Sequence, residues 1–162
     1  MIVYIGSAID MSLGSPHDQF AELGQAVVEG YKDKSVIVYN PLTAFINAAK
    51  ITEAHDRDFL INMNNAAIDG CDLAVFAWTN SPSYGVPLEI ERCKSTLKPY
   101  VIWNRAGRSL GIYLQQTISN SAAKVVNSKE ELQELLQSEW ATAIVGQQAH
   151  KRMFMRAAEV SK

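Results

Sequence analysis

The sequence predicts an α/β domain of the doubly wound kind, with a five-stranded parallel sheet flanked by helices, on three observations. First, five short β-rich apolar runs recur along the chain, at residues 2–5, 36–39, 73–78, 100–103 and 124–126. They are almost continuously apolar rather than alternating, the mark of strands covered on both faces. Second, each run is followed by a segment of helical character, and strands alternating with helices imply right-handed crossovers and parallel pairing. Third, the chain has 162 residues, 48% of them hydrophobic and 20% charged, with no low-complexity tract and no internal repeat. A chain of that size buries about 70% of its unfolded surface in one core. A single domain over residues 1–162 follows.

Taken in order, the first strand leads into the small-residue stretch Gly6-Ser7-Ala8-Ile9-Asp10. A helix over 20–31 is marked by Phe20, Leu23, Val27 and Tyr31 at three- and four-residue spacing. After the second strand, Phe59, Leu60, Met63, Ala67 and Ile68 mark a helix over 58–68. After the third, residues 87–97 read as a helix opened by Pro87, whose missing N–H costs nothing in a first turn. Ser128 and Glu131 form a capping-box pattern before Leu132, Leu135 and Leu136. The tail at about 147–160 forms an extra helix with Met153 and Phe154 on one face, packing on the domain or on a second subunit.

Composition excludes several classes. The formal net charge is −2 with no basic stripe, so a nucleic-acid polymer is disfavoured, whereas a mononucleotide needs only a few donors. Cys71 and Cys93 stand alone inside apolar or helical runs and read as reduced packing residues. His17, His55 and His150 lack metal-ligand spacing, so neither metal nor cofactor is expected. The opening MIVYIG lacks a signal-peptide pattern, and no run reaches the roughly 18 apolar residues that span a bilayer, which points to the cytoplasm.

In an open parallel sheet, ligands bind beyond the carboxyl ends of the strands, near the point where strand order reverses. The first loop there offers Gly6, Ser7 and Asp10, small and hydroxyl residues that suit an anion and equally suit an ordinary turn. The loop after the third strand places Ser83 and Gly85 just before a helix and Glu89 in its first turn. A carboxylate there acts as nucleophile or base, or merely complements the helix dipole. Trp78 stacks on a base or packs in the core. Asn104 and Arg105 reach a ligand from the fourth strand or belong to a surface loop.

The succession Tyr4-Ile5-Gly6-Ser7, then Asn64 to Asp72 leading into the third strand, then Ser83-Tyr84-Gly85-Val86-Pro87-Leu88-Glu89, resembles the nucleoside 2-deoxyribosyltransferase superfamily over residues 2–104. That group includes transferases and nucleotide N-glycoside hydrolases. The resemblance implies a flavodoxin-like sheet order, a small-molecule nucleoside or nucleotide substrate, and a homodimer or higher homo-oligomer. It implies Glu89 as the nucleophile at the anomeric carbon, Tyr4 at the end of the first strand contacting it, and Ser7, Ser83 and Gly85 holding the sugar or its 5′-phosphate. Related hydrolases borrow a serine for the phosphate from a partner subunit, from the region of Ser119, Asn120 and Ser121. Three positions depart from the pattern. Asn64 replaces an aspartate that positions the glutamate and protonates the base; an amide orients by hydrogen bonding but donates no proton as an acid. Asp10, His55, Asp56 and Asp58 are the nearest other proton sources by sequence. Pro87 and Glu91 stand where small residues are usual. The substituted acid motivates an alternative, a nucleotide-binding or sequestering protein without turnover.

Overall fold

The computed structural model describes residues 1–8, 15–32, 35–43, 54–81, 85–107, 110–111, 115–116, 123–144, 146–148 and 150, the side chains of 54–57 and 60 excepted. The five apolar runs form five strands: β1 (Ile2–Ser7), β2 (Ile37–Tyr39), β3 (Leu73–Trp78), β4 (Tyr100–Asn104) and β5 (Ala123–Val126). They pair in the order β2-β1-β3-β4-β5, every neighbour parallel, which is the flavodoxin-like arrangement. The chain steps from β1 outward to β2 and then back past β1 to β3, so the switch point lies between β1 and β3. Two strands run further than their apolar composition suggests. Gly6 and Ser7 are not loop residues: the register pairs them with Phe76 and Ala77 of β3. Asn104 likewise pairs with Trp78.

Among the described residues, helices α1 (Pro16–Gly30), α2 (Ala54–Gly70), α3 (Gly85–Ser95) and α4 (Lys129–Gln137) connect or flank these strands. The start of α1 precedes its first apolar residue because Ser15 caps it, its hydroxyl accepting from the Asp18 N–H at 3.2 Å. In α3 the helix opens at Gly85, so Pro87 sits inside the first turn, where its missing N–H has no helical acceptor anyway. Its far end closes with Lys98 N–H on the Cys93 carbonyl (2.7 Å) and Leu97 N–H on that of Lys94 (3.2 Å), with Leu97 at φ 53° in the left-handed region. Ser128 caps α4, accepting from Glu131 N–H at 3.1 Å, while the Glu131 carboxylate reaches back to Asn127 N–H at 2.7 Å. The capping-box pattern is therefore realised, with its return bond one residue before the cap. The expected tail helix falls largely on residues 151–162, outside the described residues.

Strand side chains alternate between two apolar layers. Val3, Ile5, Leu73, Val75, Ala77, Val101 and Trp103 pack against Phe20, Leu23 and Val27 of α1 and Leu132 and Leu136 of α4. Tyr4, Ala74, Phe76, Tyr100 and Ile102 pack against Ile68 of α2 and Val86, Ile90 and Cys93 of α3. Cys71 and Cys93 are free and buried in this second layer, as their isolation in the sequence suggested. Burial pushes the Cys71 thiol up to about 11, so it packs as a neutral group.

At the amino end of the sheet, the wholly buried Asp72 joins β1 to β3. Its carboxylate accepts from Ile2 N–H at 2.7 Å, and its own N–H donates to the Ile2 carbonyl at 2.7 Å. The aspartate before the third strand is thus a clamp between strands, a sheet's height from the rim loops. Asp72→Ala strips Ile2 N–H of its acceptor and is expected to cost about 1–3 kcal/mol. Urea denaturation of the two proteins measures it, and Asp72→Asn, which keeps an acceptor, should lose less. Among the described residues no helix is long and apolar enough to cross a membrane.

Candidate active site

The carboxyl ends of β1, β3 and β4 are tied together by short bonds. Ala8 N–H donates to the Ala77 carbonyl at 3.2 Å, and the Thr79 hydroxyl donates to the Ala8 carbonyl at 3.0 Å. That hydroxyl in turn accepts from Ser81 N–H at 3.3 Å. The Trp78 carbonyl takes both Arg105 N–H (2.8 Å) and Ala106 N–H (3.1 Å). Thr79 was not singled out from the sequence, where a hydroxyl after a strand is indistinguishable from an ordinary turn residue. The result is a fixed rim above the switch point.

Beneath this rim α3 crosses the sheet with Val86, Ile90 and Cys93 on its buried face. Glu89 is the fifth residue of α3, in the second turn rather than the first, and three residues on from Val86. That position flanks the apolar stripe, so its side chain turns inward. Tyr4 Oη donates to Glu89 Oε1 at 2.7 Å. Tyr4 is the third residue of β1, mid-strand instead of at its end, and Gly6, two residues on, shares its face. A Cβ on Gly6 would lie 2.7 Å from Glu89 Oε2 and 2.7 Å from Cδ1 of Phe76. Glycine is required here for room: one carboxylate oxygen occupies the space above its Cα while the other is held by the phenol.

Burial raises the Glu89 pKa above the usual carboxylate range, and the Tyr4 hydrogen bond opposes the rise. The Tyr4 phenol is itself pushed well up by burial and by the adjacent carboxylate, so it stays a neutral donor. An acid placed only to complement a helix dipole would lie in the first turn and face water. Glu89 does neither.

Two more polar groups face the same layer. Tyr39, opposite Tyr4 in register, stacks on it with ring centroids 5.7 Å apart and planes 17° from parallel. Its hydroxyl oxygen is buried with no hydrogen-bond partner among the described residues, and so is Oδ1 of Asn64 on α2. Helices α2 and α3 both run from the rim towards the amino end of the sheet. Arg92 ties them by pairing with Asp69, Nε to Oδ1 at 2.9 Å and Nη2 to Oδ2. Counting about 1.5 Å of rise per residue back from that pair puts Asn64 and Glu89 within about 3 Å of the same height.

The remaining candidates divide. Ser7 is buried, but strand alternation turns it to the layer opposite Tyr4 and Gly6, and its hydroxyl donates to the Ala8 carbonyl at 3.3 Å. Gly85 opens α3 at the surface with nothing within 4 Å of an added Cβ. Asn104 is buried at the end of β4, its Nδ2 on Asn127 Oδ1 at 3.4 Å. Arg105 pairs with Glu22 at 2.8 Å and lies 4.8 Å from the centre of the Trp103 ring, a packing role at the rim. Trp78 is partly buried against the second layer, and Asp58 is exposed. Asp10, Ser83, Ser119, Asn120 and Ser121 lie outside the described residues, as do the side chains of His55 and Asp56.

Fold and site together define a doubly wound α/β domain holding a sheltered phenol–carboxylate pair over its switch point. Its architecture is similar to that of a 2-deoxyribosyltransferase from the psychrotolerant bacterium Bacillus psychrosaccharolyticus, with a TM-score of 0.68, 12% identity, and 88% of this chain and 95% of that one covered. It is also similar to a conserved protein from Enterococcus faecalis (TM-score 0.60, 20% identity, 83% and 96% covered) and to a Clostridium botulinum CMP N-glycosidase (TM-score 0.57, 14% identity, 85% and 100% covered). No family model and no curated protein matches the sequence. At these identities the likeness establishes the fold, the one the resemblance in the sequence implied.

Proposed function

We propose that the protein cleaves or transfers at the N-glycosidic bond of a nucleoside or nucleoside 5′-monophosphate, with Glu89 as nucleophile. The observation that carries this reading is the inward Glu89 carboxylate, bonded to Tyr4 at 2.7 Å above the bare Cα of Gly6. The transferase and glycosidase of like fold support it. A carboxylate oxygen attacks the anomeric carbon, the carbon–nitrogen bond breaks, and its electron pair leaves with the base, which then takes up a proton. The glycosyl ester is released when water, or a second base in a transferase, displaces Glu89; two inversions leave configuration retained. Tyr4 and Asn64 orient the carboxylate, Tyr4 by its phenol and Asn64 by its amide. Gly6, Asp10, Ser83, Gly85 and Asn104 line or shape the sugar and phosphate subsite, whereas Ser7 is turned to the opposite layer and does not reach it from this face. The chemistry calls for no metal or cofactor. A cytoplasmic homo-oligomer in which residues 119–121 of a second copy complete the phosphate subsite belongs to the same reading.

Incubating the protein with a panel of nucleosides and their monophosphates and following free base by chromatography tests it. Release equal in wild type and Glu89→Ala overturns it. The amide at position 64 favours one second reading, nucleotide binding without turnover. A nucleotide-dependent rise in melting temperature with no base released would establish that instead.

Nucleophilic attack requires the ionised carboxylate, so the rate should fall as pH drops through the raised Glu89 pKa. Tyr4→Phe removes the bond that opposes the rise. The acid limb of kcat/KM is expected to move to higher pH, which a pH–rate profile of the two proteins measures.

A further inference from the structure

One buried polar group beside the Tyr4 ring has no use so far. The Tyr39 hydroxyl is out of water and has no partner among the described residues, a state that costs free energy unless something bonds it. Tyr39 ends β2 and stands next to Tyr4, the rings nearly parallel at 5.7 Å, while Tyr4 Oη is 2.7 Å from the attacking carboxylate. Burial raises the Tyr39 pKa, so the phenol is neutral and both donates and accepts. A pentose at near-attack distance, about 3–3.5 Å from Glu89, and lying on the Tyr39 side of the Tyr4 ring would present the atoms adjacent to its reacting carbon to this second ring. Those atoms are the ring oxygen and the carbon bearing the 2′ substituent. A donor on the ring oxygen would oppose the positive charge developing there. A bond to the 2′-hydroxyl strengthens in the same transition state.

We infer that Tyr39 is a specificity-determining residue that reads the 2′-hydroxyl, so that the substrate class is a ribosyl rather than a 2′-deoxyribosyl nucleoside or nucleotide. This rests on the glycosidic reading above and narrows it. A site with a buried group waiting for a hydroxyl rejects the analogue that lacks it, because the group then stays unpaired.

The experiment compares wild type with Tyr39→Phe on ribo- and 2′-deoxyribonucleoside 5′-monophosphates of the same base, by base release and by calorimetric binding. Wild type should favour the ribo form by about tenfold or more in kcat/KM. Tyr39→Phe should collapse that ratio, chiefly by slowing the ribo substrate. Because the lost hydroxyl has no partner among the described residues, the variant should melt no lower than wild type. Base release with no ribo preference, or with a preference that survives Tyr39→Phe, overturns the inference and leaves the glycosidic reading standing. Ribo-selective binding that Tyr39→Phe abolishes, without base release from either form, overturns the glycosidic reading and keeps Tyr39 as the 2′ reader. Neither release nor selective binding overturns both.

Discussion

Replacing Glu89 with glutamine is expected to abolish base release while making the protein more stable at neutral pH. The first effect follows from removing the only group proposed to bond the anomeric carbon, and a loss of about 10³-fold or more is usual when a nucleophile is removed. The second follows from linkage. The folded-state pKa of Glu89 is raised above its unfolded value because burial penalises the charge more than Tyr4 relieves it. Below the ordinary carboxylate pKa both states are protonated and the group contributes its full stability. As pH rises through the raised folded pKa, that contribution is lost. Glutamine keeps an oxygen for the Tyr4 hydroxyl and never ionises. The melting temperatures of the two proteins should therefore coincide in acid and separate towards neutrality, by about 2–4 °C per kcal/mol for a chain of this size. Calorimetric scans across pH, alongside chromatographic assay, check both halves. A glutamate with only a surface role would show neither.

Gly6→Ala is expected to be the most damaging small substitution at the site. Its new methyl would meet Glu89 Oε2 and the Phe76 ring, both at 2.7 Å, closer than real Cβ contacts come. Phe76 is wholly buried, flanked by Tyr4 and Tyr100 at ring-centroid distances of 6.1 and 6.3 Å, and has nowhere to go. The carboxylate or α3 must move. Overpacking of this kind costs about 1–3 kcal/mol, and a displacement near 1 Å at the reacting group costs about 10²-fold in rate. Gly85→Ala is the stability control, since nothing lies within 4 Å of its added Cβ. Denaturant titration should find a drop for position 6 and none for position 85.

The strands were readable because parallel strands covered on both faces must be apolar throughout, and residues 73–78 or 100–103 have no other economical fate. Their ends were less so: Gly6, Ser7 and Asn104 are poor strand formers, held in β1 and β4 by cross-strand register that no local pattern encodes. The same limit applies to α1, whose start is set by the Ser15 cap five residues ahead of the apolar periodicity at Phe20. At the site, Glu89 was legible as a residue type at a rim helix, but not which way it faces. Direction depends on its three-residue offset from Val86 and on the space above Gly6. Tyr39 was hidden for a different reason. An aromatic in a strand reads as packing, and an unsatisfied hydroxyl is a property of the assembled interior.

The Asp72 clamp lies at the amino end of the sheet and the Tyr4–Glu89 pair lies towards the other, so the domain's mechanical anchorage and its chemistry occupy separate poles. Mutational libraries confined to the rim would then diversify substrate choice while sparing the anchorage. Sequence drift around residue 72 would erode the whole scaffold at once. A lineage built this way can change what it recognises many times without relearning how to fold.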